Sequence, residues 1–222
     1  MSTISVFDVL GPNMIGPSSS HTAGACAIAL LARKMINGTL TEAEFTLYGS
    51  FAKTYRGHGT DRALVGGILG FQTDDPRIRD AFSIAEQQGV AIRFRVNTEE
   101  TEIYPNTVDI RLKTAEGKRL CVRGESIGGG KMRIVRINGV PVDFSGEYST
   151  MIVRQQDKPG VIAHITGCLG ENDINIAFLK LYREEKGLTA YSIVESDETL
   201  TPDIADRILQ NRFVDDVMLI QV

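Results

Sequence analysis

The segment Gly16-Pro17-Ser18-Ser19-Ser20-His21-Thr22 sets three serines, a threonine and an imidazole where a helical pattern begins. A serine there can cap orphan backbone amides. The remaining hydroxyls and N–H groups can hold an anion, such as a carboxylate, against the positive helix end. An ordinary N-cap in a serine-rich loop would use the same letters. A second segment, Gly57-His58-Gly59-Thr60-Asp61, flanks an imidazole with glycines, which lets the backbone come close to a ligand and gives the ring room. Asp61 could orient or charge-stabilise an imidazole, although an Asp is equally expected in the first turn of a helix. An imidazole titrates near pH ~6.5, which suits proton transfer at neutral pH.

The third segment, Glu125-Ser126-Ile127-Gly128-Gly129-Gly130-Lys131, invites a phosphate-loop reading that fails. The pattern would need Gly where Glu125 stands and Ser or Thr where Met132 stands. It lies between strand-like runs, so it is either a β-turn or a backbone nest for a small anion. His21, His58 and His164 are the only histidines and show no H-x-x-x-H spacing. Cys26, Cys121 and Cys168 form neither C-x-x-C nor an iron–sulfur run. No metal site made wholly by this chain is expected. The absence of G-x-S-x-G argues against a serine nucleophile.

Elements that would position these residues follow from periodicity and punctuation. Ser20 to Asn37 reads as a helix rich in Ala and Gly, suited to close packing on a neighbour, with Arg33-Lys34 in its last turn. Glu44 to Ala52 reads as a strand with Phe45, Leu47 and Gly49 on one face. Arg62–Leu69 and a segment from Asp75-Pro76 to Gln88 read as helices. Strands are predicted over Val90–Val96, Thr107–Leu112, Leu120–Gly124 and Met132–Ile137, and Asn138-Gly139 is a hairpin signal leading into Val140–Phe144. Beyond Phe144-Ser145-Gly146 the order is strand Tyr148–Arg154, helix from Pro159-Gly160 to Leu169, strands Ile174–Leu181 and Leu188–Val194, helix Thr201–Gln210 and strand Val217–Val222. That is the ferredoxin-like βαββαβ order. The fold class is α+β, with domains at 1–146 and 147–222. No low-complexity segment and no repeat between the halves is evident.

The chain has 222 residues, a size for one large domain or two small ones. With 24 basic and 28 acidic side chains its formal net charge is −4, which leaves no electrostatic footprint for nucleic acid or anionic lipid. Met1–Leu10 carries no signal-peptide pattern, and Ala23–Ala32 is too short to cross a bilayer. A cytoplasmic location is expected.

Gly16–Thr22, Gly57–Asp61 and Ser126–Gly130 together resemble the iron–sulfur-dependent L-serine dehydratases (L-serine ammonia-lyases), specifically the beta chain of the two-subunit bacterial form. The last ~75 residues, with Asp157-Lys158-Pro159-Gly160-Val161 and Asn172-Asp173-Ile174-Asn175-Ile176, resemble an ACT domain, a fold of that order of length. The resemblance covers essentially the whole chain. It implies that 1–146 is similar to the allosteric-substrate-binding domain of some D-3-phosphoglycerate dehydrogenases.

It also implies a [4Fe–4S] cluster held by a separate alpha chain, so this chain is expected to be inactive alone. In such lyases the cluster can supply a Lewis acid for the serine hydroxyl; a base would remove the α-proton, the hydroxyl would leave as water, and the resulting aminoacrylate would be hydrolysed to pyruvate and ammonia. Carried onto this sequence, His58 is the base, with His21 as the alternative. Ser18, Ser19, Ser20 and Thr22, with Gly59, Thr60 and Asp61, bind or orient L-serine. Asp157, Gly160 and Asn175 would form an effector site in the ACT half, where a carboxylate at Asp157 would repel an effector carboxylate but could hold its ammonium; a purely structural dimer is the alternative. Expected partners are the alpha chain, L-serine and a second copy through the ACT domain, with a role in serine catabolism feeding gluconeogenesis. A different reading, a non-catalytic amino-acid sensor, leaves the glycine-flanked His58 without a use.

Overall fold

The computed structural model describes residues 13–221. Met1–Leu10, read above as lacking a signal pattern, and Val222, the expected end of the last strand, lie outside the described residues. The chain divides into two compact units between Asn138 and Gly139.

The first unit begins with a wide π-helical turn, Ser19–Ala23, which runs into helix α1, Gly24–Lys34. Strand β1, Leu40–Leu47, is followed after one residue by helix α2, Gly49–Thr54. This corrects the strand predicted over Glu44–Ala52. The apolar alternation of Phe45 and Leu47 does continue to Gly49, but Gly49 adopts φ +50°, a left-handed conformation that ends the strand. A Cβ at Gly49 would also stand 2.6 Å from the Pro105 carbonyl oxygen, so only glycine fits this corner. Helix α3, Thr60–Ile68, a 3₁₀ turn Pro76–Asp80 and helix α4, Ala81–Gln87, complete the helical layer.

Strands β2 (Ala91–Val96), β3 (Thr107–Thr114), β4 (Arg119–Gly128) and β5 (Lys131–Ile137) then follow. Across the unit the strand order is β2-β1-β3-β4-β5. β1 and β2 are parallel, and β1-β3, β3-β4 and β4-β5 are antiparallel. Period-two alternation puts Ala43, Phe45, Leu47, Val108, Ile110, Leu112 and Val122 in the core. It turns Glu44, Arg111 and Lys113 to the other face, where Glu44 pairs with Arg95 and Arg111. The expected close helix packing is present. A Cβ at Gly67 of α3 would lie 2.4 Å from the Cys26 carbonyl oxygen of α1.

The second unit contains β6 (Val140–Phe144), β7 (Ser149–Gln156), α5 (Val161–Gly170), β8 (Phe178–Arg183), β9 (Thr189–Ser196), α6 (Pro202–Leu209) and β10 (Val214–Ile220). A four-stranded antiparallel sheet, β10-β7-β9-β8, carries a core of Met151, Val153, Val161, Ile165, Leu169, Ile204 and Ile208. The βαββαβ order from β7 to β10 is as expected. The strand predicted from Ile174 starts only at Phe178, which leaves Asn175 in an exposed coil segment.

Candidate functional site

Ser18 has extended backbone and caps the π-helical turn, its Oγ accepting the His21 backbone N–H at 3.2 Å. The turn is wide, and that width lets the His21 ring reach back to the same hydroxyl. His21 Nδ1 lies 3.2 Å from Ser18 Oγ. The other ring nitrogen, Nε2, lies 2.9 Å from Ser50 Oγ, at the start of α2. The Phe51 ring meets His21 edge-on at 5.5 Å.

His58 arrives from the α2–α3 connection, its backbone N–H bonded to the Thr54 carbonyl. Gly59 follows at φ +70° and caps α3. The two imidazoles meet with centroids 4.7 Å apart and planes at 80°. Two sequence segments thirty-odd residues apart are thus one constellation. Burial, and secondarily the neighbouring His58, hold His21 below the usual histidine range, so His21 rests neutral.

The remaining residues predicted for this site fall into different positions. Ser19 and Ser20 are half-buried in the turn itself. Thr22 is buried and its hydroxyl donates to the Ser18 carbonyl. Thr60 is fully buried. Asp61 accepts the Arg62 backbone N–H, and burial pushes its carboxyl above the usual aspartate range. No hydrogen bond or ring contact joins Asp61 to either imidazole among the described residues.

Several buried polar atoms at this end lack any partner: His58 Nδ1, Thr60 Oγ1, Asn106 Oδ1 and Ser126 Oγ. Ser126 and Asn106 are tied by a backbone bond, Ser126 N–H to the Asn106 carbonyl. Ser126 also sits against Gly24 at the start of α1. Buried polar groups are nearly always bonded, so the unpartnered Nδ1 of His58 and the unpartnered hydroxyl of Thr60, two residues on, are open to a ligand; Thr114, Arg154 and Glu195 carry such atoms elsewhere. Ser126 thereby brings the third sequence segment beside the helix that follows the first. Gly128, Gly129 and Gly130, at φ +99°, +62° and +80°, form the β4–β5 turn.

Sequence reasoning missed Ser50 and Asn106. Ser50 was hidden inside the apparent strand Glu44–Ala52. Asn106 had only its place in Tyr104-Pro105-Asn106 before a strand to announce it. A cleft of about 460 Å³ runs beside α2, lined by Gly49, Ser50, Lys53, Asn97, Glu100 and Pro105. It has room for a small amino acid.

Behind Ser50 stands a buried ionic network. Arg123 Nε donates to Asp109 Oδ1 at 2.6 Å, and Nη2 donates to Asp109 Oδ2 at 2.9 Å and to the Tyr48 hydroxyl at 2.9 Å. Tyr48 in turn donates to Asp109 Oδ2 at 2.7 Å. Arg123 also reaches Glu100 at 2.8 Å. Burial and the Asp109 bond push the Tyr48 phenol up to about 12, so it stays a neutral donor.

In the second unit Asp157 accepts the Gly187 backbone N–H at 3.0 Å and lies 3.5 Å from Arg183. Gly160 caps α5 at φ +87°. The Asn175 carbonyl accepts the Ser196 hydroxyl, and its side chain is exposed. His164 Nε2 faces the Arg207 carbonyl and Cys168.

The described residues contain no group of three or more His, Cys, Asp or Glu that could hold a metal ion. Cys26 and Cys168 are buried and Cys121 is half-buried. Burial pushes the Cys26 thiol up to about 12, the opposite of what a thiolate ligand needs. The donor set of the described residues does not fit an iron–sulfur cluster. No helix among the described residues is long and apolar enough to cross a membrane.

The chain is similar to known proteins along most of its length. The serine dehydratase beta chain family matches residues 5–135, and the ACT domain family matches 149–213. The beta chain of L-serine dehydratase from Peptoniphilus asaccharolyticus is 44% identical over 94% of each chain. A probable L-serine dehydratase beta chain from Bacillus subtilis is 42% identical over 92% of each. D-3-phosphoglycerate dehydrogenase from Bacillus subtilis is 30% identical over 64% of this chain and 27% of its own length.

Proposed function

The chain belongs to the serine dehydratase beta chain family, and from that premise we propose that its paired imidazoles supply the acid–base groups for deamination of L-serine to pyruvate and ammonia. It is the beta subunit of a serine dehydratase, a lyase that requires an alpha chain. The observation that carries the residue assignment is the contact between His21 and His58 among orphaned buried polar atoms.

Removing the α-proton of serine needs a neutral base near the substrate. Two imidazoles 4.7 Å apart cannot both be cations at low cost, so at least one stays neutral near pH 7. His21 is engaged at both ring nitrogens by serine hydroxyls, which leaves His58 as the base. Ser18, Ser19 and Ser20 line the π-helical turn, whose free backbone N–H groups suit a carboxylate. Thr22 fixes that turn through its bond to the Ser18 carbonyl. Gly59, Thr60 and Asp61 set the start of α3 and so the height of the His58 ring.

An iron–sulfur cluster, whose Lewis acidity would assist departure of the serine hydroxyl, is assigned to the alpha chain, because the thiols of this chain do not fit one. A cytoplasmic location and a role in serine catabolism accord with this reading. In the ACT unit, the exposed Asn175 and the Gly160 helix start are proposed to meet an amino-acid effector, while Asp157 holds the β8–β9 turn. The apolar edge strand β8, with Phe178, Leu179 and Leu181 exposed, is proposed to pair with a second copy.

The test is His58→Gln reconstituted with the alpha chain. Turnover is expected to fall by roughly 10²–10⁴-fold, the usual contribution of a general base, with substrate binding retained. Turnover near wild type would end the assignment.

A further inference from the structure

A neutral imidazole has one nitrogen that donates and one that accepts, and its neighbours decide which is which. Around His21 that choice is made by two serines. Ser18 Oγ accepts the His21 backbone N–H, and the ring atom it faces is Nδ1, at 3.2 Å. With one lone pair taken, it can give its own proton to Nδ1, which would leave the ring proton on Nε2, facing Ser50 Oγ at 2.9 Å. Ser50 Oγ has no other partner among the described residues.

We infer that Ser50 is a positioning residue that holds His21 as the Nε2–H tautomer, and that the Tyr48–Asp109–Arg123 network holds Ser50 in place. Ser50 lies two residues beyond Tyr48, on the glycine corner that joins strand to helix. Its backbone N–H donates to the Pro105 carbonyl at 2.6 Å, and the Tyr48 N–H donates to the Thr107 carbonyl at 3.1 Å. Tyr48, Asp109 and Arg123 are each more than nine-tenths buried. The guanidinium also lies over the Tyr48 ring at 4.7 Å. A corner clamped on both strands beneath it leaves the Ser50 hydroxyl little freedom, and the His21 ring inherits that precision.

The inference deepens the acid–base reading above. With Nδ1 accepting and Nε2 donating, His21 has no lone pair in reserve. Its part is to orient, while His58 does the accepting.

The test begins on the full chain alone, with ¹⁵N-labelled histidine and long-range ¹H–¹⁵N correlations at neutral pH. The His21 signals are identified by their loss in His21→Gln. Wild type is expected to show a protonated Nε2 and a bare Nδ1. Ser50→Ala is expected to give an average of both tautomers, Ser50→Thr to restore the wild-type pattern, and Tyr48→Phe to fall between.

In the enzyme assembled with its alpha chain, Ser50→Ala should lower kcat/KM about tenfold, the effect of one neutral hydrogen bond, and move the acid limb of the pH profile. Ser50→Thr should bring both back. A protonated Nδ1 in wild type, or an unchanged tautomer in Ser50→Ala, overturns the inference. A changed tautomer with an unchanged pH profile upholds the positioning role and sinks the acid–base reading instead.

Discussion

The two units leave different things unfinished. In the first, Nδ1 of His58 and the hydroxyl of Thr60, two residues on, are buried without a partner. In the second, the polar side chains proposed for ligand binding are occupied or point into solvent. Asp157 is bound to Gly187 and Arg183, and Asn175 is exposed ahead of β8. The second unit also buries two unpartnered polar atoms, Arg154 Nε and Glu195 Oε1, but the surface it leaves open is apolar, the edge strand β8 with Phe178 at 48% exposure and Leu188 beside it at 51%. Unsatisfied polar atoms call for a small polar ligand, whereas an open apolar strand edge calls for another polypeptide. The contrast supports the proposal that chemistry lies in one half and association in the other.

That contrast can be broken at several points. The largest effect belongs to Arg123→Ala, which strands the buried Asp109 carboxylate. A loss of about 3–5 kcal/mol is expected in chemical denaturation, the usual result of removing one member of a buried pair. Gly67→Ala comes next. Its Cβ would press within 2.4 Å of the Cys26 carbonyl oxygen, so about 1–3 kcal/mol is expected from forcing α1 and α3 apart.

On the other unit, Leu179→Lys with Leu181→Lys should shift sedimentation from dimer to monomer. The tautomer and titration of His21 should stay unchanged. If His21 moves instead, chemistry and association are not separable in this molecule.

The pH dependence sharpens the first half of the contrast. His21 is held below its unfolded value near ~6.5, so its neutral form is favoured in the fold. No contribution is expected above that pH. As pH falls below it, the unfolded chain takes up the proton first and stability declines. His21→Gln should remove that part of the slope in thermal melts between about pH 5 and 7. The smallest effect is expected from Asp157→Asn. The amide oxygen can still accept from Gly187, and only a surface pair with Arg183 is lost, so the change should be within about 1 kcal/mol.

Much of this architecture is legible in the residues. Proline and glycine announce α5 and α6, Asn138-Gly139 marks a turn, and both histidine segments stand out by their neighbours. What is not legible is whatever depends on a corner. Phe45, Leu47 and Gly49 keep a strand's alternation, so nothing local says that Gly49 turns left-handed and delivers Ser50 to an imidazole twenty-nine residues earlier. The Asp109–Arg123 bond joins neighbouring strands whose register no single sequence states. Asn175 shows the opposite error, since Ile174 and Ile176 mimic a strand while the backbone stays irregular until Phe178.

The edge-to-face contact between the two imidazoles also couples their protons. Rings that close share room for a single positive charge, and His21 gives way through burial and through the ring beside it. Removing the second ring should therefore let His21 take up its proton at a higher pH, a shift that the ¹⁵N signals of His21 in His58→Gln would show.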